Sequence, residues 1–580
     1  MKNVREVTKI LIQEETIVAI LTLLFILLSI YPTLRFYYNT PPDSVYSFLH
    51  NSVSDYPYYI SFIRQGILGR FTTIDQFTSE NQSAGFIHIF YLFLGRIGSL
   101  FGFSPFNIYF LARILLGILF LLTSYYFIAH FLDSKIKRLL AYVLFISSAS
   151  FPQISFQEKG INISSYLSWW TEVDPIRRVT FIPHFLLGHT GMVLMLLLLL
   201  KLTKSGSRKL LLLCILTGNI IGISHPPSLG MVYFIFGFYL LTIFFIILLK
   251  KGDLLKVLKE ISLSIKFYLL FVILTVPSLY YIYYTTGNIF PWTLMKAQES
   301  LFYYISLKEY MLSIGPILPM GLIGFFSVKI IIKDKTKLSN FNILILWIII
   351  DLIMIPFSKI IAFSNLPIKI PTFANIRFLS MVIQLPLSIL AVLFLLNIKK
   401  TFGSKFVCFS LFTYFITTLS VYPVNISSQI NDFIYARKFV YPSKKLINVI
   451  KSFDSVTDES KAVLARQDTS LIISLFARNK VYFGQSVYTY DNENKSNQAD
   501  KFFQGNMTSC EGEKFIREGR IDYVLTENKL DTQKTDNYPF LRKVEMSNKD
   551  ESGNGENNIY LYEYDSEAVE GQCKGDIVLP

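Results

Sequence analysis

The feature that most constrains this chain is a succession of apolar runs, each about as long as a membrane is thick. A helix needs roughly 20 mostly apolar residues to cross the hydrocarbon core. Runs of that kind lie near 16–34, 106–132, 136–151, 180–202, 209–224, 227–250, 262–284, 311–333, 341–363, 376–398 and 405–424, with 136–151 and 209–224 short for the task. The chain is 52% hydrophobic without counting Gly and only 17% charged, whereas soluble proteins carry about 25% charged residues. Disorder is excluded for most of the length, because disordered chains are charge-rich and aromatic-poor and this one is 16% aromatic. Four cysteines exclude a disulfide-dense scaffold. The expected fold class is a polytopic α-helical membrane protein, with about 11 transmembrane helices and a C-terminal extracytoplasmic α/β domain.

Loop charges orient the spans. Lys and Arg collect in cytoplasmic loops, and basic linkers occur at 133–138 (DSKIKR), 201–209 (KLTKSGSRK), 250–260 (KKGDLLKVLKE), 333–337 (KDKTK) and 397–405 (NIKKTFGSK). All fall on the side of Lys2, Arg5 and Lys9 if the apolar stretch 85–102, which holds His88 and Arg96, lies along the interface and does not cross. The N-terminus is then cytoplasmic, and the first span is an uncleaved anchor in the plasma membrane. The net charge of +14 reads as topology, with no nucleic-acid partner. Long segments at 35–105, 152–180, 285–310 and beyond 425 face the exterior, which is the working side.

Two domains are expected. Residues 1–424 form the transmembrane domain, including the outer loop 35–105. Residues 425–580 form the extracytoplasmic α/β domain, where apolar runs shrink to strand length and alternate with polar helical patterns. Cys510 and Cys573 fall there and are candidates for a disulfide. Cys214 and Cys408 sit within spans as small apolar packing residues.

The polar residues of the outward segments carry the chemistry. Transfer of a sugar from a phosphate leaving group needs a carboxylate to deprotonate the incoming hydroxyl and cations to stabilise the departing phosphate. The first outer loop offers Asp43, Asp55 and Glu80 as acids. Asp55 followed by Tyr-Pro is equally a good helix N-cap, and the two roles are compatible; Asp43 and Glu80 also read as solvated loop acids. The second outer loop offers Arg177, Arg178 and His184 just after Trp169-Trp170, a pair that serves as an interfacial anchor. An ion pair with Asp174 is the alternative use of the two arginines. Arg377 opens the tenth span and Lys359 stands near the outer end of the ninth, while Asp351 near its middle reads as an interhelical hydrogen-bond partner. His184, His189 and His225 lack the tight spacing of a metal motif.

The stretch from Asp55 through Tyr59 to Arg64-Gln65-Gly66-Ile67-Leu68-Gly69 resembles the first-loop motif of the GT-C glycosyltransferases. So does the aromatic helix that runs into Phe101-Gly102-Phe103-Ser104, ahead of Arg113. The resemblance is to the branch of protein O-mannosyltransferases, lipid A aminoarabinose transferases and lipopolysaccharide galacturonosyltransferases, and it covers residues 16–132. It implies an inverting transfer of a hexose or pentose from a polyprenyl-phosphate donor to a lipid, glycan or protein acceptor at the extracytoplasmic face. Asp55 would then be the catalytic acid of the first loop, Tyr59, Arg64 and His184 substrate-binding residues, and Arg377 a holder of the donor phosphate with Arg177, Arg178 and Lys359. The family often has Asp-Glu where this chain has Asp55-Tyr56, so participation of a divalent cation is left open and no other cofactor is called for. The competing readings are a transporter or flippase, or a polymerase or ligase, of lipid-linked glycans. A transporter would show internal repeats and broken helices meeting mid-membrane, whereas the polar residues here gather toward one surface.

Overall fold

The computed structural model describes residues 13–49, 53, 55–157, 160–168, 170, 172–251, 253–301, 304–332, 335–363, 374–544 and 559–567. Among them, eight helices are long and apolar enough to cross a membrane: Glu14–Tyr38, Pro105–Phe131, Pro183–Ser205, Pro226–Lys250, Val257–Asn288, Asn340–Phe357, Gln384–Phe402 and Ser404–Tyr435. A ninth candidate is a pair, Leu307–Ile314 and Ile317–Ile331, bent by 86° at Gly315 and Pro316. Two further expected spans are the helices Lys135–Ser147 and Arg208–Ser224, of 13 and 17 residues. At 1.5 Å per residue they measure about 20 and 26 Å, less than the roughly 30 Å of hydrocarbon. The apolar stretch at 85–102 forms a helix over Ile89–Phe101.

Contacts divide the chain into two compact units. The first, a helical unit, comprises Met1–Pro32, Leu111–Tyr283 and Glu299–Asn431. Its closest helix pair is Ile317–Ile331 against Gln384–Phe402, where a Cβ at Gly324 would overlap Leu390 O and one at Gly321 would lie 2.5 Å from Leu387 Cδ2. Only glycine permits that approach, the small-residue packing expected where lipid supplies no hydrophobic drive. Arg138 donates to Glu14 at 2.5 Å, so the basic linker 133–138 lies beside the start of the first span. Tyr310 donates to Asp351, the interhelical bond expected of that buried acid. The hairpin of β1 (Pro152–Gln157) and β2 (Gly160–Ser165) is antiparallel, with Ile154 opposite Ile163 and Phe156 opposite Ile161. Cys214 is buried, but Cys408 is exposed on its helix and packs against no core.

The second unit comprises Thr33–Phe110, Tyr284–Gln298 and Asp432–Pro580, so the segment after the first span packs with the terminal region. Its sheet consists of β3 (Ala462–Leu464), β4 (Lys480–Val481), β5 (Tyr523–Thr526), β6 (Leu541–Val544) and β7 (Tyr560–Tyr564) in the order β4-β3-β5-β7-β6. β3 is parallel to β4 and β5, whereas β7 runs antiparallel to β5 and β6. Helices Asn492–Phe503 and Ser509–Glu518 lay Phe502, Phe503, Phe515 and Ile516 on one face of the sheet, over Leu464, Val524 and Tyr562. The first segment reaches the sheet at its β4 edge, where Val481 N donates to Gln76 O at 2.7 Å. Cys510 is disulfide-bonded; Cys573 lies outside the described residues.

Candidate active site

In the second unit the motif that opened the resemblance has a physical explanation residue by residue. Asp55 starts the helix Asp55–Ile67 and is its first-turn acid, a favourable place for negative charge. Gln485 Nε2 donates to Asp55 Oδ1 at 3.1 Å. The orientation of that amide follows from its other end, because Gln485 Oε1 accepts from Val487 N at 2.6 Å and Tyr488 N at 3.0 Å. The amide thus gives the carboxylate a donor without cancelling its charge. Tyr58 stacks on Tyr488 at 3.6 Å between centroids and fixes the same loop against the helix.

Arg64, expected to bind substrate, donates to Leu475 O and Phe476 O, the last carbonyls of the helix Gln467–Phe476. A helix leaves its final four carbonyls without internal partners, and a guanidinium is well suited to satisfy two of them. Burial pulls the Arg64 guanidinium down to about 10. Gly66 and Gly95 let the helices Asp55–Ile67 and Ile89–Phe101 touch, since a Cβ on either would overlap a backbone carbonyl of the other helix. Arg96 closes the turn by donating to Gly69 O. Tyr59 is buried and stacks on Tyr91 at 4.8 Å.

The other two acids of the first loop are placed differently. Asp43 is exposed at a bridge that joins Ser44 to Ser443. Glu80 pairs with Lys495 at 2.6 Å. Beside Glu80 lies a further acid that no motif in the sequence marks. Asp75 is 1% exposed, accepts from Phe77 N at 2.8 Å, and is pushed up to about 7 by burial. His88, on the same loop system, is pulled down to about 4 by burial. Neither residue stands in a recognisable motif; their only sequence signal is membership of this loop.

In the helical unit the segment 172–180 is a buried polar cluster. Asp174 caps the short helix Pro175–Val179 by accepting from Ile176 N at 2.9 Å, and meets Arg177 Nε at 3.5 Å. Burial pushes the Asp174 carboxyl up against the pull of Arg177. Arg177 also reaches Ser428 Oγ at 3.3 Å. Arg178 donates to Phe145 O at 3.2 Å and Ser148 O at 3.4 Å, closing the end of the helix Lys135–Ser147 as Arg64 closes the helix Gln467–Phe476. Arg113 is fully buried and donates to Thr180 O at 2.8 Å. Glu172 and His189 meet at 3.3 Å, and the His225 ring centre lies 5.7 Å from that of His189 and 6.3 Å from that of His184.

Arg377 belongs to the same compact unit. It stands on a 3₁₀ turn, Asn375–Ser380. Asn375 fixes that turn by exchanging bonds of 3.1 and 2.8 Å with the backbone of Ile305, and Trp347 Nε1 donates to Met381 O just beyond it at 2.8 Å. Arg377, Arg177, Arg178, His184, His189 and His225 are therefore gathered in one unit. Lys359 lies in the helix Lys335–Phe363, but its side chain and that of Trp169 fall outside the described residues. Among the described residues no three of His, Cys, Asp and Glu form a group able to hold a metal ion.

No protein-family model and no curated protein sequence matches the chain. Solved structures do. A mutant form of the arabinofuranosyltransferase AftD from Mycobacteria superposes with a TM-score of 0.52 at 11% identity, over 95% of this chain and 41% of that one. The chain has the GT-C fold. It spans about two fifths of AftD's length, and the likeness is one of fold. The Archaeoglobus fulgidus oligosaccharyltransferase AglB, solved with an inhibitory peptide and a dolichol-phosphate, gives 0.49 at 12% identity, over 87% of this chain and 69% of its own. ArnT from Cupriavidus metallidurans, bound to undecaprenyl phosphate, gives 0.49 at 10% identity over 94% and 98%.

Proposed function

We propose that the protein is a membrane glycosyltransferase that moves a sugar from a polyprenyl-phosphate donor to an acceptor hydroxyl at the extracytoplasmic face. The observation that carries the reading is the GT-C fold with a carboxylate, Asp55, held at the start of the first outer helix by the oriented amide of Gln485. AftD, which shares the fold, is by name an arabinofuranosyltransferase, and glycosyl transfer is the reaction class taken over here.

In this reaction Asp55 accepts the proton of the acceptor hydroxyl as its oxygen bonds to the anomeric carbon. The bond from that carbon to the phosphate oxygen breaks, and the oxygen leaves with the electron pair. Displacement from the opposite side inverts the anomeric centre. The departing polyprenyl phosphate gains negative charge, and fixed guanidinium groups stabilise it because they need no reorganisation as the charge develops. Within the helical unit, Arg377 and Arg177 are the guanidinium groups we assign to the donor phosphate. Arg64 and Arg178 are assigned to positioning, because their donors already serve helix-end carbonyls.

The direct test supplies purified protein in lipid nanodiscs with a panel of polyprenyl-phosphate sugars and measures release of polyprenyl phosphate. One or more donors should be consumed, and Arg377→Ala should raise the apparent KM for that donor about 10-fold or more, the scale of a lost charged hydrogen bond. Silence across the panel, or unchanged donor kinetics in Arg377→Ala, counts against the assignment.

A further inference from the structure

The α/β unit carries a cleft of about 620 Å³, and the topology of its sheet accounts for the position. The chain leaves β3 through the helix Gln467–Phe476 and enters β4 on one side. It leaves β4 through two helices and enters β5 on the other side of β3. Past β5 the chain continues in that second direction, through the helix Lys529–Thr535 to β6; right-handed crossovers that run in opposite directions place their helices on opposite faces, so the segments that follow β3 and β5 diverge at their carboxyl ends. Such a switch point is where open α/β sheets bind ligands. The cleft lies there. Arg466, Gln467 and Asp468 follow β3 and line one wall, and Asn528 and Asp531 follow β5 and line the other.

The charges of the lining narrow the ligand class. Arg466 holds Asp531 with two parallel bonds, Nε to Oδ2 at 2.9 Å and Nη2 to Oδ1 at 2.8 Å, and also donates to Asp500. Its guanidinium plane is braced 4.8 Å above the ring centre of Phe503. Lys438 pairs with Glu527 at 3.3 Å. Both cations at the cleft are thus neutralised, and its lining has three carboxylates (Asp468, Asp500, Asp531) against two cations. An anion would meet a net negative wall. A ligand rich in hydroxyls would meet acceptors at two levels. Asp468 is exposed at the rim and Asp500 is half-exposed. The Gln467 amide is fixed by donation to Gly484 O at 3.0 Å, which leaves its carbonyl oxygen as an acceptor. Phe483 and Leu530 supply apolar lining for C–H faces.

We infer that this cleft binds a neutral polyhydroxylated ligand, a glycan, and that in the transfer reaction the glycan it holds is the acceptor. The second half rests on the proposed transfer; the binding does not. The test uses the full-length protein in nanodiscs against an array of neutral and uronic-acid oligosaccharides, with inorganic phosphate as a separate probe. Ser496→Trp fills the cleft from its helical wall and Asp468→Asn removes a rim acceptor; neither residue belongs to the proposed catalytic set. Neutral glycans should bind the parent protein. Their affinity should fall at least 10-fold in Ser496→Trp and less in Asp468→Asn, while release of polyprenyl phosphate to water continues in both. Preference for phosphate or uronic-acid glycans, absence of glycan binding, or equal binding by parent and Ser496→Trp each overturns the inference. Donor consumption without glycan binding leaves the transferase standing and removes this cleft; glycan binding without donor consumption does the reverse.

Discussion

The two units use the same two devices under different driving forces. Each brings a helix pair together on glycines: Gly66 and Gly95 in the α/β unit, Gly321 and Gly324 in the helical unit. Each also closes a helix end with an arginine, the part-buried Arg64 on Leu475 and Phe476, and the buried Arg178 on Phe145 and Ser148. In the α/β unit these contacts supplement apolar burial around Phe502, Phe515 and Val524, which water drives. In the helical unit lipid is as apolar as the side chains, so close packing and hydrogen bonds must carry more of the association. The difference teaches that one residue pattern has unequal weight in the two regions.

The largest effect should come from glycine substitution. Gly324→Leu drives a side chain into the Leu390 backbone and should cost more than the roughly 3 kcal/mol of ordinary overpacking, whereas Gly66→Leu, in a unit with its own apolar core, should cost less. Thermal unfolding in detergent ranks the two, and the reverse order breaks the comparison. Next come Arg64→Met and Arg178→Met. Each strands helix-end carbonyls, at about 1–3 kcal/mol per unsatisfied buried group, with donor KM unchanged. An Arg178→Met protein that unfolds normally yet loses donor affinity would return Arg178 to the phosphate.

The smallest effect lies in pH. Asp75 is raised to about 7 by burial, so between about 4 and 7 the folded state keeps a proton that the unfolded chain has released, and its contribution to stability falls as pH rises. His88 is lowered to about 4 by burial. Between about 4 and 6.5 the unfolded chain holds the extra proton, and its contribution rises with pH. The two trends oppose each other, so the parent protein should show a shallow profile across that window. Asp75→Asn should leave a melting temperature that climbs with pH and His88→Gln one that declines; parallel profiles in all three proteins would contradict the opposed shifts of Asp75 and His88.

The membrane fold was legible because a run of apolar residues long enough to span declares itself without knowledge of its neighbours. The span count was less so. Lys135–Ser147 and Arg208–Ser224 are helices, yet their lengths fall below the membrane's, and the 311–333 run bends at Gly315 and Pro316. Arginine roles were the least legible part. Arg64 donates to a carbonyl 412 positions away, and nothing in its local pattern separates a helix-end brace from a phosphate ligand. Asp55 could be picked out from its place at a helix start, but Gln485, which orients it, is 430 residues distant and sits in an unremarkable loop. Asp75 carries no local signal for the same reason, since its burial is produced by packing where the first segment meets the β4 edge.

The central claim is that the Asp55 carboxylate is the base of a lipid-linked sugar transfer. Asp55→Asn keeps the hydrogen-bonding shape beside Gln485 and removes the basic oxygen. With a donor identified by release of polyprenyl phosphate, Asp55→Asn should fold and melt like the parent and lose transfer by about 10²–10⁴-fold, the usual contribution of a general base. Turnover within a few-fold of the parent would contradict the account.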